Sequence, residues 1–494
     1  MLKNLVLVLN LNSKNIKMKT NYKILFACFS LIFIACQTDA EYEDLNRNPK
    51  NPSVVPYATL FTSASKSLVD EMVTTNYNTS IYKFLAQYWA QTTYTDESNY
   101  DMQNRAIPDS HWTTMYTNVL YDLKDAKNLA NAGVSVNKAG EVGQISVLEV
   151  YAWQNLVDTF GDIPYTQALD ADEFITPAYD DAATIYADLM VRLEEAITNL
   201  NSASGGFNNA DILYGGNLAL WSKFANSLKL RLAMRLADVS PAVSKAAAEQ
   251  AVAAGVFTSN ADNTALQYLG APPNTNPIWV SIVQSGRKDY VASNTMVDHM
   301  NALSDPRLDY FFKDKVNGVY LGGPYGATNT YSKYSHINAQ VLDPTFEGTL
   351  IDFVEVSFLQ AEAVERGYSI TGTAEQHYNN GIESSILYWG GSASDVTTYM
   401  ANPDVAYTTA TGDWKQKIAM QFWIGMYNRG CEGWNVWRKF DSPQLNIPEA
   451  SQRAVPTRYT YPIFEQNLNE TNFSSAASAI GGDKQGTKIF WDVN

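Results

Sequence analysis

Apolar residues recur every three or four positions in several separate stretches, and this spacing constrains the fold more than any other feature of the chain. Leu148, Ala152, Leu156 and Phe160 form one row, and Ile185, Leu189, Leu193, Ile197 and Leu200 another. Four positions are about one helical turn, so each row is the apolar stripe of an amphipathic helix. A third row, Trp221, Phe224, Leu228, Leu232 and Leu236, stops before Pro241, which cannot sit in a helix interior. Ser240-Pro241 then opens an Ala-rich helix that Gly255 can close, and Thr373-Ala-Glu-Gln376 fits a capping box for a later one.

A single stripe needs a partner to cover it. The expected architecture is therefore mostly α, with tetratricopeptide-like helix pairs stacked on one another, although no 34-residue repeat is present. A long interval from about Asn260 to Gly348, rich in Gly, Pro, Asn and Tyr, interrupts the helices, which resume near Ile351. Long ordered insertions are where binding usually resides. Hydrophobic content of 46% with 17% charged residues fits a body that folds in water.

The N-terminus reads differently. Residues 1–35 form a signal peptide, with translation expected to start at Met18: Met-Lys-Thr-Asn-Tyr-Lys, the apolar run Ile24 to Ala35, then Cys36. That run is shorter than the roughly 20 apolar residues a bilayer span needs. A Cys directly after Ala35 resembles the lipobox of bacterial lipoproteins, which makes Cys36 the lipidation site; Phe33 stands where Leu is usual. Cys28 is a small apolar residue of the signal. Residues 36–56 form a lipidated tether, whose Asn46-Arg-Asn-Pro-Lys-Asn-Pro-Ser53 forbids a regular helix. The acidic residues after Cys36 resemble a signal for the outer cell surface.

Basic residues number 35 against 51 acids, and five of the basic ones lie in the first 35 positions, leaving 30 − 51 = −21 for the rest. Such a surface repels phosphate backbones, which excludes nucleic acid as a partner and disfavours anionic substrates. Beyond Cys28 and Cys36 only Cys431 remains, so core size and not a disulfide framework must supply stability.

No motif of catalysis emerges. His111, His299, His336 and His377 are far apart and none has metal-ligand spacing. Gly481-Gly-Asp-Lys-Gln-Gly-Thr-Lys488 has phosphate-loop glycine spacing but ends in Thr-Lys with no helix behind it, and reads as a C-terminal turn. Asp262, Asp343 and Asp352 read as solvated loop carboxylates, with no calcium-loop spacing. Neither a metal nor a cofactor is expected.

The 30 Tyr, 11 Trp and 20 Phe stand out. Tyr and Trp offer an apolar face with a polar tip, suited to sugar rings or peptide side chains. Trp153, Trp221 and Phe224 fall on helical stripes and belong to packing. Tyr94 and Tyr100, in a polar stretch, and Tyr325 and Tyr331, beside Gly322-Gly-Pro, are the candidate ligand-binding residues.

Several stretches together resemble the SusD/RagB family of outer-membrane nutrient-binding lipoproteins, in its SusD-like branch. They are Asp44-Leu-Asn-Arg-Asn-Pro49, the helix Tyr151 to Phe160 with Gly-Asp-Ile-Pro-Tyr165, and Trp221 to Ala233. Asp305-Pro-Arg-Leu308, Gln360 to Gly367, Glu432-Gly-Trp-Asn-Val-Trp-Arg-Lys439 and Pro456 to Pro462 continue the series. The resemblance implies one SusD-like domain over residues 57–494, with a loop-rich ligand face. It also implies a partner, a SusC-like TonB-dependent transporter barrel over which the protein sits as a lid, delivering an oligosaccharide or peptide. Arg235, Arg438 and Arg458 are then structural ion-pair partners.

The expected function is non-catalytic capture of a nutrient oligomer at the outer membrane, facing the cell exterior, with the lipid as the sole membrane contact. The alternatives are a surface glycan hydrolase using a carboxylate pair and a purely structural lid.

Overall fold

The computed structural model describes residues 55–494. The signal at 1–35, Cys28, lipidation at Cys36, the motif from Asp44 to Pro49 and the tether as far as Val54 lie outside the described residues. Residues Pro56–Asn494 form one compact unit. Its main helices pack in chain-order pairs: α1 (Tyr57–Val73) on α2 (Tyr121–Ala132), and α3 (Lys138–Phe160) on α4 (Ala182–Ser202). Next come α5 (Leu218–Arg235) on α6 (Pro241–Ala254), α7 (Phe353–Glu365) on α8 (Ala374–Tyr388), and α9 (Trp414–Gly425) on α10 (Gly430–Phe440). The mostly α, helix-pair architecture expected from the stripes is the observed one.

Local chemistry sets the helix ends. Asp181 accepts from the Thr184 amide to start α4, and Pro241 sits in the first turn of α6, which Gly255 ends at φ +110°. The capping box expected at Thr373 and Gln376 starts α8, and Asp413 with Gln416 makes another at α9. Each satisfies amide donors that the first helical turn leaves unpaired. Trp153, Trp221 and Phe224 are buried as packing residues, and full burial of a Phe side chain contributes about 1.5–3 kcal/mol.

One helix departs from the one-stripe reading. In α3 nearly every residue from Gly140 onward is buried, not only the Leu148–Phe160 row. Its carboxylates are tolerated inside because each meets a partner. Glu149 pairs with Lys127 at 2.6 Å and Arg192 at 2.8 Å, and Asp158 accepts from Tyr186 at 2.5 Å and Trp491 at 2.7 Å. Gly140 lets the start of α3 approach the chain after α4: a Cβ there would lie 2.0 Å from the Gly205 carbonyl oxygen.

Arginines from α5 and the α9–α10 link knit the pairs together. Arg231 pairs with Glu355, Arg235 with Glu432, and Arg429 with Asp352 and Glu355. Arg458 pairs with Asp483, so the glycine-rich stretch near the C-terminus is a turn pinned to the body. Arg438 departs from the ion-pair expectation: its guanidinium lies 3.6 Å from the Trp434 ring centroid and donates to the Thr457 carbonyl and to Asn435. Two of the three acids read as solvated also differ. Asp262 is buried, accepting from Lys223 at 2.8 Å and the Thr258 amide at 2.7 Å, and Asp352 is buried as the cap of α7. Chain-distant cations drew them inward, which local composition does not report.

The interval from Asn260 to Gly348 is loop-rich as expected and is held by short antiparallel pairs. Thr264–Leu266 pairs with Gly348–Ile351, Phe312–Lys313 with His336–Ile337, and Trp89–Gln91 with Tyr290–Ala292. Among the described residues no helix is long and apolar enough to cross a membrane.

Candidate functional site

The pairing of Trp89–Gln91 with Tyr290–Ala292 brings two loops side by side. Gln91 is opposite Tyr290, so the residues after Gln91 leave the ribbon next to those that precede Tyr290. The Thr92 amide donates to the Asp289 carbonyl at 2.8 Å, and the Thr92 hydroxyl to the Lys288 carbonyl at 2.6 Å. A third segment joins them where Asn329 Nδ2 donates to the Gln91 carbonyl at 2.9 Å.

Cations and aromatic rings alternate along the surface these loops build. The Arg105 guanidinium lies 5.7 Å from the Tyr94 ring centroid and 4.7 Å from that of Tyr77, and the Arg287 guanidinium lies 5.2 Å from the same Tyr77 centroid. Next in the chain, Lys288 Nζ is 5.4 Å from the Tyr331 centroid, and Tyr331 stacks on His336 at 3.8 Å. Each is within cation–π or stacking reach.

The loops are braced from beneath. Gln91 donates to Glu97 at 2.8 Å and accepts from the Ser98 amide at 2.9 Å, while Arg105 pairs with Glu97 at 2.5 Å. Burial raises the Glu97 carboxyl above its ordinary value, and Gln91 and Arg105 pull it back. Asn99 joins Gly326 and Ser451 to the same loop. Tyr94 is consequently held at φ +53° with its ring 60% exposed. Positive φ in a bulky residue is a strained conformation that the surrounding structure must impose. Tyr77 is presented by a turn in which Thr79 and Ser80 amides donate to the Asn76 carbonyl.

Of the four tyrosines singled out from sequence, Tyr94 and the half-buried Tyr331 lie on this surface. Tyr100 and Tyr325 do not. They are buried beneath it, with Gln87 donating to the Tyr100 hydroxyl at 2.9 Å and Tyr325 donating to the Phe84 carbonyl at 2.5 Å. Polar neighbours in sequence signalled a loop, but the loop folds inward at both positions and leaves no ring face for a ligand. Tyr77, Arg105, Arg287 and Lys288 were missed. Arg287-Lys288 beside Gly286 was a legible signal, whereas Tyr77 and Arg105 join the surface through tertiary contact alone.

The arrangement offers ring faces and N–H donors, and its carboxylates are paired with cations. Glu97 is engaged by Arg105 and Gln91, and Asp289 by Arg287. Cys431 is buried, with its thiol pushed up by burial. His111 is buried against Glu71. Among the described residues no group of three or more His, Cys, Asp or Glu side chains is placed to hold a metal ion. A separate groove of about 600 Å³ lies between Trp112, Tyr116, Tyr121, Leu169 and Phe464. Two of its polar tips are spent internally, Tyr116 donating to the Pro164 carbonyl and Glu465 accepting from Tyr179, while Tyr121 is exposed at its rim.

Fold and surface together define a mostly helical protein of stacked helix pairs with a loop-built aromatic surface. The profile of the SusD-like family, described as "Starch-binding associating with outer membrane", matches residues 49–462, and the chain belongs to that family. Among solved structures, a chitin-binding protein is 26% identical with a TM-score of 0.77, covering 89% of this chain and 100% of its own. A chitin-binding SusD homologue from Flavobacterium johnsoniae is also 26% identical, with a TM-score of 0.75 and coverage of 88% and 99%. A SusD homologue from Bacteroides uniformis at 24% identity and TM-score 0.75, covering 88% and 99%, shares the fold. Among curated proteins none matches the chain in sequence.

Proposed function

We propose that this protein captures an oligosaccharide without catalysis at the outer cell surface and passes it to a TonB-dependent barrel, to which it is the lid. The observation that carries the reading is the line Tyr94, Arg105, Tyr77, Arg287, in which the exposed Tyr94 ring and the half-buried Tyr77 ring alternate with guanidinium donors. Sugar rings stack by their C–H faces on such aromatics while their hydroxyls accept from the donors between them. The cations are matched locally by Glu97 and Asp289, which suits a neutral glycan better than an anionic one. The two relatives named as chitin-binding make N-acetylglucosamine oligomers the first ligand to test.

The reading extends to the anchor. Cys36 carries the lipid that holds the protein at the membrane beside its barrel. A hydrolase is disfavoured because Glu97 and Asp289 are both held by arginines, leaving neither free as the acid that protonates a glycosidic oxygen.

Calorimetric titration of the purified protein with N-acetylglucosamine and maltose-type oligomers is the direct test. Saturable binding with no new reducing ends on prolonged incubation is expected; steady release of reducing ends would replace capture by hydrolysis. Cys36→Ser should release the protein from membranes, and persistence of the variant in the membrane fraction would remove the anchor.

A further inference from the structure

A groove of about 390 Å³ with a mixed polar and apolar lining opens beside the aromatic line, between α1 and the segment around Pro273–Ser281. That volume falls within the about 300–1,000 Å³ of ligand clefts in general. Hydroxyl and amide side chains, Asn76, Thr79, Thr114, Asn118, Thr275 and Ser281 among them, line it beside apolar and ionisable neighbours.

Two features tie it to the site already described. Asn76 and Thr79 bracket Tyr77, the ring that sits between Arg105 and Arg287. On the far wall, Val280–Gln284 leads directly into the loop carrying Arg287 and Lys288. Both walls also contain π-helical turns, Thr114–Leu120 on one side and Val280–Gln284 on the other. Such turns are uncommon and concentrate at functional sites, because the widened turn redirects side chains that a regular helix would space differently.

Every ionisable group in the groove already has a protein partner. Lys66 pairs with Asp70, which also accepts from Tyr268 at 2.6 Å, and Glu71 meets His111 Nδ1 at 2.7 Å. A charged ligand would find no free counter-charge there, whereas a chain of hydroxyl and amide groups would find both donors and acceptors.

We propose that this groove receives further uncharged sugar residues of the same glycan that stacks on the aromatic line, so that the site as a whole selects long oligomers over short ones. The inference rests on the glycan-capture reading and adds the location and length dependence of the extended subsite.

The experiment compares calorimetric affinities for di- to hexasaccharides of N-acetylglucosamine and of maltose type in the wild type, Asn118→Ala, and Ser281→Trp, which fills the groove from its rim. Circular dichroism melts confirm that each variant is folded. Disaccharide affinity should be unchanged in both variants. Hexasaccharide affinity should fall about five- to tenfold in Asn118→Ala, the loss of about one hydrogen bond, and further in Ser281→Trp. Equal hexasaccharide affinity in all three proteins overturns the groove and leaves the capture reading standing. A wild type that binds no oligomer of any length overturns the capture reading, and the groove falls with it.

Discussion

Arg231 and Glu355, 124 residues apart in the chain, meet in a two-point ion pair, Nε to Oε1 at 2.5 Å and Nη2 to Oε2 at 2.8 Å. Both are fully buried, and the pair joins α5 to α7, which belong to different helix hairpins. Arg429 and Glu432 extend it into a network that reaches Arg235 and Asp158. Arg231, Asp158 and Glu432, which lie in stretches that resemble the family in sequence, therefore act as cross-braces of the stack.

Removing one brace should be costly. Arg231→Met leaves Glu355 with Arg429 alone and Glu432 with Arg235 alone, and uncompensating a buried pair typically costs about 3–5 kcal/mol. Urea unfolding of the purified variant should show a loss of that size. A loss below about 1 kcal/mol, the range of an exposed pair, would mean that water reaches the network.

Tyr94 and Tyr325 should separate binding from stability. Tyr94→Ala removes an exposed ring, so its melting temperature should stay at the wild-type value while oligosaccharide affinity falls about three- to tenfold, the worth of one stacking contact. Tyr325→Ala hollows the support beneath and should lose about 3–5 kcal/mol, as large-to-small core changes of aromatics do. If Tyr94→Ala instead unfolds the protein, the ring is a packing element and not a contact surface.

How much of this was legible in the chain follows from what local sequence encodes. Stripes, caps and proline stops placed α4 to α6 and α8, because periodicity and capping are properties of neighbours. The near-complete burial of α3 was not legible: the partners that hold Glu149 and Asp158 inside, Lys127, Arg192 and Trp491, come from elsewhere in the chain. At the site, Tyr94 and Tyr100 share one polar stretch yet end on opposite sides of the surface, since contacts with Gln91, Gly326 and Ser451 decide the loop's path. The cation partners Arg105 and Arg287 owe their role to Tyr77, which precedes them by 28 and 210 residues and shares no local pattern with either.

Cys431 should be inert in the native state. It is buried at 7% exposure, Asn155 Nδ2 donates to its sulfur at 3.3 Å, and burial pushes the thiol above its ordinary range. Since the thiolate is the reactive form, a chromogenic disulfide reagent at pH 8 should leave the folded Cys36→Ser protein unlabelled at Cys431 and label it on denaturation. Rapid labelling without denaturant would show that the α9–α10 region opens to solvent.

Lys83 gives the fold a specific pH dependence. Its ammonium is buried, reaching the carbonyls of Val73 at 3.4 Å and Asn428 at 3.2 Å and lying 5.6 Å from the Trp89 ring centroid. Burial lowers its pKa from 10.5 to about 7. Between those values the unfolded chain binds a proton that the folded chain does not, so stability to unfolding rises with pH through this window. Below about pH 7 both states are protonated, and the folded state bears the full cost of the buried charge. Lys439, brought to about 8 chiefly by burial with Glu362 opposing, acts in the same direction over a narrower range. The urea midpoint should therefore climb from pH 6.5 to pH 9.5, and Lys83→Met, which has no proton to lose, should climb less and gain most on the wild type at pH 6.5. Parallel pH profiles for the two proteins would show that Lys83 keeps its charge inside the fold.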